Sequence, residues 1–229
     1  AGRAIAMSGP SLSSLVQGSL RHNGFLALSI LQGTFGVAAL QLGAIAIAFL
    51  VSLSNIVSVI AVLMLGRATG QRDMKRAILA EIARNPLLGA MLIGTVVNIL
   101  NIPVPAFISQ LAALLGAGAL PLLLLSIGAS LKFSAIGGNV APLGLALLAK
   151  FLVFPLALVT IGLALGLSQI ELAVLAAVGA APTATSTYTL ATELGGDARL
   201  MAEIVSLQTL GATASIPLWL WLAGAVSMM

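Results

Sequence analysis

An all-α, polytopic membrane protein is the fold class this sequence predicts, and three observations predict it. Hydrophobic residues make up 60% of the 229 and charged residues only 7%, where a soluble domain carries roughly 25% charged residues. Mean hydropathy is +1.16. The apolar residues fall into successive stretches near the ~20 residues that cross a ~30 Å hydrocarbon core as a helix. None of them alternates as a membrane strand does.

About seven transmembrane helices follow, at 20–41, 43–65, 86–100, 106–131, 140–166, 172–193 and 201–222. The chain opens AGRAIAMSGPSLSSLVQGSL, which lacks the regions of a signal peptide and is too short of apolar residues to span. It reads as a cytoplasmic loop following helices absent from this sequence, so the chain is expected to be a fragment. Gly66–Arg84 is the strongly charged linker, carrying Arg67, Arg72, Lys75, Arg76 and Arg84; it predicts an amphipathic helix lying on the membrane surface. Alternating the spans puts Arg3, Arg21, Lys132 and Arg199 on that same side, while loops 101–105 and 167–171 carry no Lys or Arg. By the positive-inside rule the linker is cytoplasmic and the C-terminus outside.

In the span 106–131, Pro121 predicts a kink, and Gly116, Gly118 and Gly128 predict close helix packing rather than ligand contact. The span 140–166 holds Pro155, a second kink, and Lys150, about ten residues from either end, where snorkelling would be strained. An ionisable group at that depth is a functional candidate. Its partner is an anionic substrate, helix carbonyls or a carboxylate on an absent helix, or else its role is structural. Trp219 and Trp221 read as interfacial anchors, with packing inside the bundle as the alternative. Glu171, Glu193, Asp197 and Glu203 fall near span ends, so no proton-relay carboxylate shows in the membrane interior.

The segment from Ala173 to Gly196, AVLAAVGAAPTATSTYTLATELGG, carries the most information. An apolar helix breaks at Ala181-Pro182 and continues into Thr183, Thr185, Ser186, Thr187, Tyr188 and Thr189. Proline frees backbone carbonyls, and a polar run at that depth must be buried in protein or line a wet cavity. Secondary carriers hold substrate and coupling ions at such discontinuous helices. A proline kink softened by Ser/Thr back-bonding is the plain alternative.

Other classes are excluded or disfavoured. The net charge of +4 and pI near 10.4 come from loop residues that report orientation, not a nucleic-acid partner. There are no cysteines, hence no disulfide and no thiolate metal site, and His22 alone cannot build a zinc site. No metal and no cofactor is expected. No GxxxxGK[ST] is present, so nothing suggests an ATPase, and the chain is not read as an enzyme.

Arg21-His22-Asn23-Gly24-Phe25 followed by LALSILQGTFG resembles the Arg-Asn-Thr opening of the fourth helix in the auxin efflux carrier family, which includes bacterial malate and malonate carriers. NPLLGAMLIGTVVNILNIPVP and LAALLGAGALPLLLLSIGASL resemble its sixth and seventh helices, and APTATSTYTLATELGGDARLMAEIVSLQTLGATASIPLW its ninth and tenth. The resemblance covers nearly the whole chain from about Ser14. It implies a ten-helix carrier of two inverted five-helix repeats, with helices four and nine broken and crossing near the midplane. Residues 1–65 would then end the first repeat, 66–85 form the cytoplasmic linker, and 86–229 form the second repeat. Asn23–Gly36 pairs with Pro182–Gly196. Two departures stand out: Ser29 where the family usually has proline, and Ser186 where many members have asparagine.

The expected function is a secondary active transporter of small organic anions such as dicarboxylates or auxin-like acids, working by alternating access in a bacterial inner (plasma) membrane. Asn23, Pro182, Thr183, Thr185, Ser186 and Tyr188 are the candidate substrate-binding residues, with Lys150 a charge partner. The expected partners are the anion, the bilayer and a coupling ion, H+ or Na+; oligomeric state stays open, a homodimer included. The rival readings are a sodium-coupled carrier of the bile-acid symporter type, a seven-helix receptor or retinal protein, and an inactive fragment lacking three helices. The last span lacks the lysine a retinal protein needs.

Overall fold

The computed structural model describes residues 7–65, 86–130 and 140–227, with Leu79 and Ala83 between the first two. Arg3, Lys132 and the basic side chains of the linker, Arg67, Arg72, Lys75, Arg76 and Arg84, lie outside the described residues. Among those described the structure is helical without strands, as composition predicts.

The N-terminal stretch corrects the expectation of a loop: it forms α1 (Gly9–Leu20), with Pro10 in its first turn and the Ser8 side chain accepting from the Ser11 amide. Serine at the N-cap and proline just inside are strong start signals. Its small polar face, Ser13, Ser14, Gln17 and Gly18, is buried. Hydropathy misses such a helix because its polar face packs on neighbouring protein.

After a break at 21–23 comes α2 (Gly24–Leu65), which reverses at Gly36 (φ 76°, ψ −161°). Only glycine adopts that backbone without strain. The two arms run antiparallel: a Cβ on Gly24 would sit 2.7 Å from Ile47, and one on Gly43 would sit 2.6 Å from Leu31. Further along the same hairpin, Gly9 abuts the Leu65 backbone. The first span therefore runs from residue 9 to 35, not 20 to 41.

Next are α3 (Pro86–Ile99) and α4 (Ala106–Ser130), the latter continuing through Pro121. Their large side chains, Ile99, Phe107, Leu114 and Leu122 among them, are exposed, as expected where lipid is the solvent. Among the described residues nothing lies within 4 Å of a would-be Cβ on Gly116 or Gly118, so none of them supplies the packing expected there.

α5 (Val140–Ala164) widens into a π turn at Ala149–Val153 immediately before Pro155. Proline has no N–H for the Phe151 carbonyl four residues back. The Trp219 indole supplies it, donating to Phe151 at 2.7 Å. Trp219 is thus a buried packing residue, the alternative held for it, while Trp221 is exposed.

α6 (Gln169–Ala180) begins with a capping box between Ser168 and Glu171 and is buried along its length from Leu172 to Ala180. It is the centre of the bundle. One side packs Val174, Ala177 and Val178 on Leu28, Leu31 and Ile47 of α2; the other packs Ala176 and Ala180 with Val159 of α5 and with α8. Small residues permit this: a Cβ on Gly179 would meet the Pro155 Cα at 2.7 Å. A second break leads to α7 (Ser186–Leu194), ended by Gly195 at φ 82°, and then α8 (Ala198–Ser227).

Candidate functional site

Two helices are interrupted, and their interruptions meet. α1 stops at Leu20 and α2 starts at Gly24; α6 stops at Ala180 and α7 starts at Ser186. Helix ends leave orphan N–H and C=O groups that hydrocarbon cannot satisfy. Here they satisfy one another. The Asn23 N–H donates to the Pro182 carbonyl at 2.7 Å, and the Asn23 side chain caps α2, accepting from the Leu26 amide at 3.1 Å.

Each break is also held from outside. The Gln208 side chain of α8 accepts from the Thr183 N–H at 2.9 Å and donates to the Gly18 carbonyl at 3.0 Å. Lys150, on the π turn of α5 and fully buried, donates from Nζ to the Arg21 carbonyl at 3.0 Å and lies 4.4 Å from the Phe154 ring centroid. A backbone carbonyl at the end of α1, one of the partners expected for it, is thus in place. Among the described residues no carboxylate pairs with it.

Arg21 is 8% exposed, inside the first break. Its guanidinium donates to Ser186 Oγ at 3.1 Å, at the N-terminus of α7. His22 stacks on Phe154 at 6.3 Å. Thr183 is buried, its hydroxyl 3.3 Å from that of Thr187. Thr185 is the N-cap of α7 and makes no side-chain cap bond. Tyr188 is partly exposed on α7.

The structure therefore gathers Asn23, Pro182, Thr183, Thr185 and Ser186 around one crossing, with Lys150 bonded to its edge and Tyr188 in the first turn of α7. Sequence reasoning missed Arg21 and Gln208. Arg21 was signalled by its neighbour Asn23, once residues 9–20 are recognised as helix; Gln208 was signalled as a lone amide deep in an apolar span. Glu203, near the start of α8 as expected, is 1% exposed and faces Arg199 at 3.5 Å. Among the described residues no group of His, Asp and Glu is arranged to hold a metal.

The α7 N-terminus and the α2 N-terminus both open onto this crossing, each with the partial positive charge of a helix start. Together with the Arg21 guanidinium they make a polar, cation-bearing patch inside an apolar bundle. Such a patch suits an anion.

The family model for membrane transport proteins matches residues 55–220. Over 216 residues the chain is 28% identical to an uncharacterized transporter of Methanothermobacter thermautotrophicus, an alignment covering 93% of this chain and 68% of the relative. No solved structure matches. The family match spans most of the chain, including the second break and the two helices that hold it, and so the chain belongs to the membrane transport protein family, that of the auxin efflux carriers.

Proposed function

We propose that this protein is a secondary active transporter of small organic anions, with the crossing of the two broken helices as its substrate site. The observation that carries the reading is the meeting of the α2 and α7 N-termini at Asn23 and Pro182, with Arg21 bonded to Ser186 beside them. Arg21 and the positive end of the α7 dipole bind a carboxylate; Asn23, Thr183, Thr185 and Ser186 supply polar contacts, and Tyr188 offers a phenol or a ring face. Access alternates as the crossing helices rock against the rest of the bundle. The driving force is an ion gradient, or the membrane potential acting on the anion at about 2.3 kcal/mol per charge per 100 mV. The basic linker faces the cytoplasm and the C-terminus the outside.

Uptake of radiolabelled malate and of indole-3-acetate into proteoliposomes tests this, with proton, sodium and potential gradients imposed one at a time. Saturable uptake of either acid that Arg21→Gln abolishes supports the site; uptake dependent on sodium favours the symporter-type reading. No gradient-driven uptake of either acid would sink the anion assignment.

A further inference from the structure

Gln208 has no exposed surface and reaches three other parts of the chain with one amide. Besides accepting from Thr183 and donating to Gly18, its Nε2 lies 3.3 Å from the Ala146 carbonyl of α5. Each partner lies where helical pairing is disturbed. Thr183 N–H loses its helical acceptor at the Pro182 break, Gly18 C=O loses its donor because α1 stops before residue 22, and Ala146 C=O borders the π turn. One acceptor on an N–H and one NH2 on two carbonyls also fixes which way the amide points.

We propose that Gln208 is a positioning residue for transport: its side chain holds the first break in register with the second, so that Asn23 stays on Pro182 and the half-helix N-termini of α2 and α7 keep facing one site. The functional consequence rests on that crossing being the binding site; the register does not. No other side chain has the required chemistry at this length. Glutamate accepts from Thr183 but meets Gly18 and Ala146 with a second acceptor, and leucine serves none of the three.

Hydrogen exchange resolved at Thr183 and Asn23, in the full chain in nanodiscs, separates the two levels. Gln208→Leu speeds exchange at both amides by about tenfold or more, since each loses a buried partner or its support. Gln208→Glu speeds Asn23 and leaves Thr183 protected. Trp219→Phe removes an indole bond made away from the crossing and changes neither amide. Unchanged Asn23 exchange in the Gln208 variants overturns the proposal, whether or not transport is seen; if the leucine variant does not fold, the glutamate variant decides. With malate as probe, Gln208→Glu raises KM by roughly fivefold or more, an effect in line with one lost buried bond, and Trp219→Phe does not. A KM unchanged by Gln208→Glu overturns its role in transport.

Discussion

The amide of Asn23 donates to the carbonyl of Pro182 at 2.7 Å, joining residues far apart in sequence at the point where both of their helices are interrupted. A helix carbonyl left of its donor inside a membrane has few choices, because lipid offers none. Here the second interruption answers the first, and the crossing becomes a fixed object rather than two soft kinks.

Asn23→Ala is expected to lower stability by about 1 kcal/mol through loss of the α2 cap and to weaken substrate binding as well. Asn23→Ser retains a capping oxygen and recovers most of the stability without the full binding. Denaturant midpoints in detergent, read beside malate uptake, check both. If Asn23→Ala and Gly118→Ala reduce uptake equally, Asn23 holds no special place, since none of the described residues lies within 4 Å of a Cβ on Gly118.

Lys150→Met removes the donor to the Arg21 carbonyl and the cation over Phe154. Leaving that buried acceptor unmet costs about 1–3 kcal/mol, so the thermal midpoint falls. Transport is expected to fall with it, because Arg21 presents its guanidinium to Ser186 from the same residue whose carbonyl Lys150 holds. Unchanged uptake at lowered stability would make Lys150 purely structural.

Much of this was legible in the sequence, for physical reasons that differ by residue. Pro182 could be read directly, since a proline followed by hydroxyl residues in an apolar run has few explanations at that depth. Lys150 could be read as misplaced, with helix carbonyls among its expected partners, but the Arg21 carbonyl could not be picked out, because only the fold brings α1's end beside α5. The helix 9–20 was hidden by its own surroundings: buried in protein along Ser13, Ser14 and Gln17, it needs little apolar sequence. Missing it moved Arg21 from the site to a loop and placed the first reversal several residues past Gly36.

Gly179→Ala tests the packing that brings α6 against α5. The new methyl would lie 2.7 Å from Pro155 Cα, a backbone atom that cannot rotate away. Such overpacking costs about 1–3 kcal/mol. Gly118→Ala is expected to be neutral or slightly stabilising, by up to about 1 kcal/mol of helix propensity. Thermal scans of both variants decide it, and equal midpoints would mean that α5 and α6 do not approach this closely.

Trp219→Phe and Trp221→Phe should part company, although the two residues are neighbours in sequence and chemically identical. Trp219 is buried and supplies the donor that Pro155 denies to Phe151; phenylalanine fills most of the volume but leaves that carbonyl unpaired, at about 1–3 kcal/mol. Trp221 is 67% exposed on the outside of α8, and its replacement is expected to change stability by less than about 0.5 kcal/mol. These are the chain's two tryptophans, so each variant also isolates the other's emission. Trp219 alone should emit toward the blue and resist quenching by brominated lipid, while Trp221 alone should be quenched strongly. Equal quenching of the two would place Trp219 at the lipid face, away from the Phe151 carbonyl.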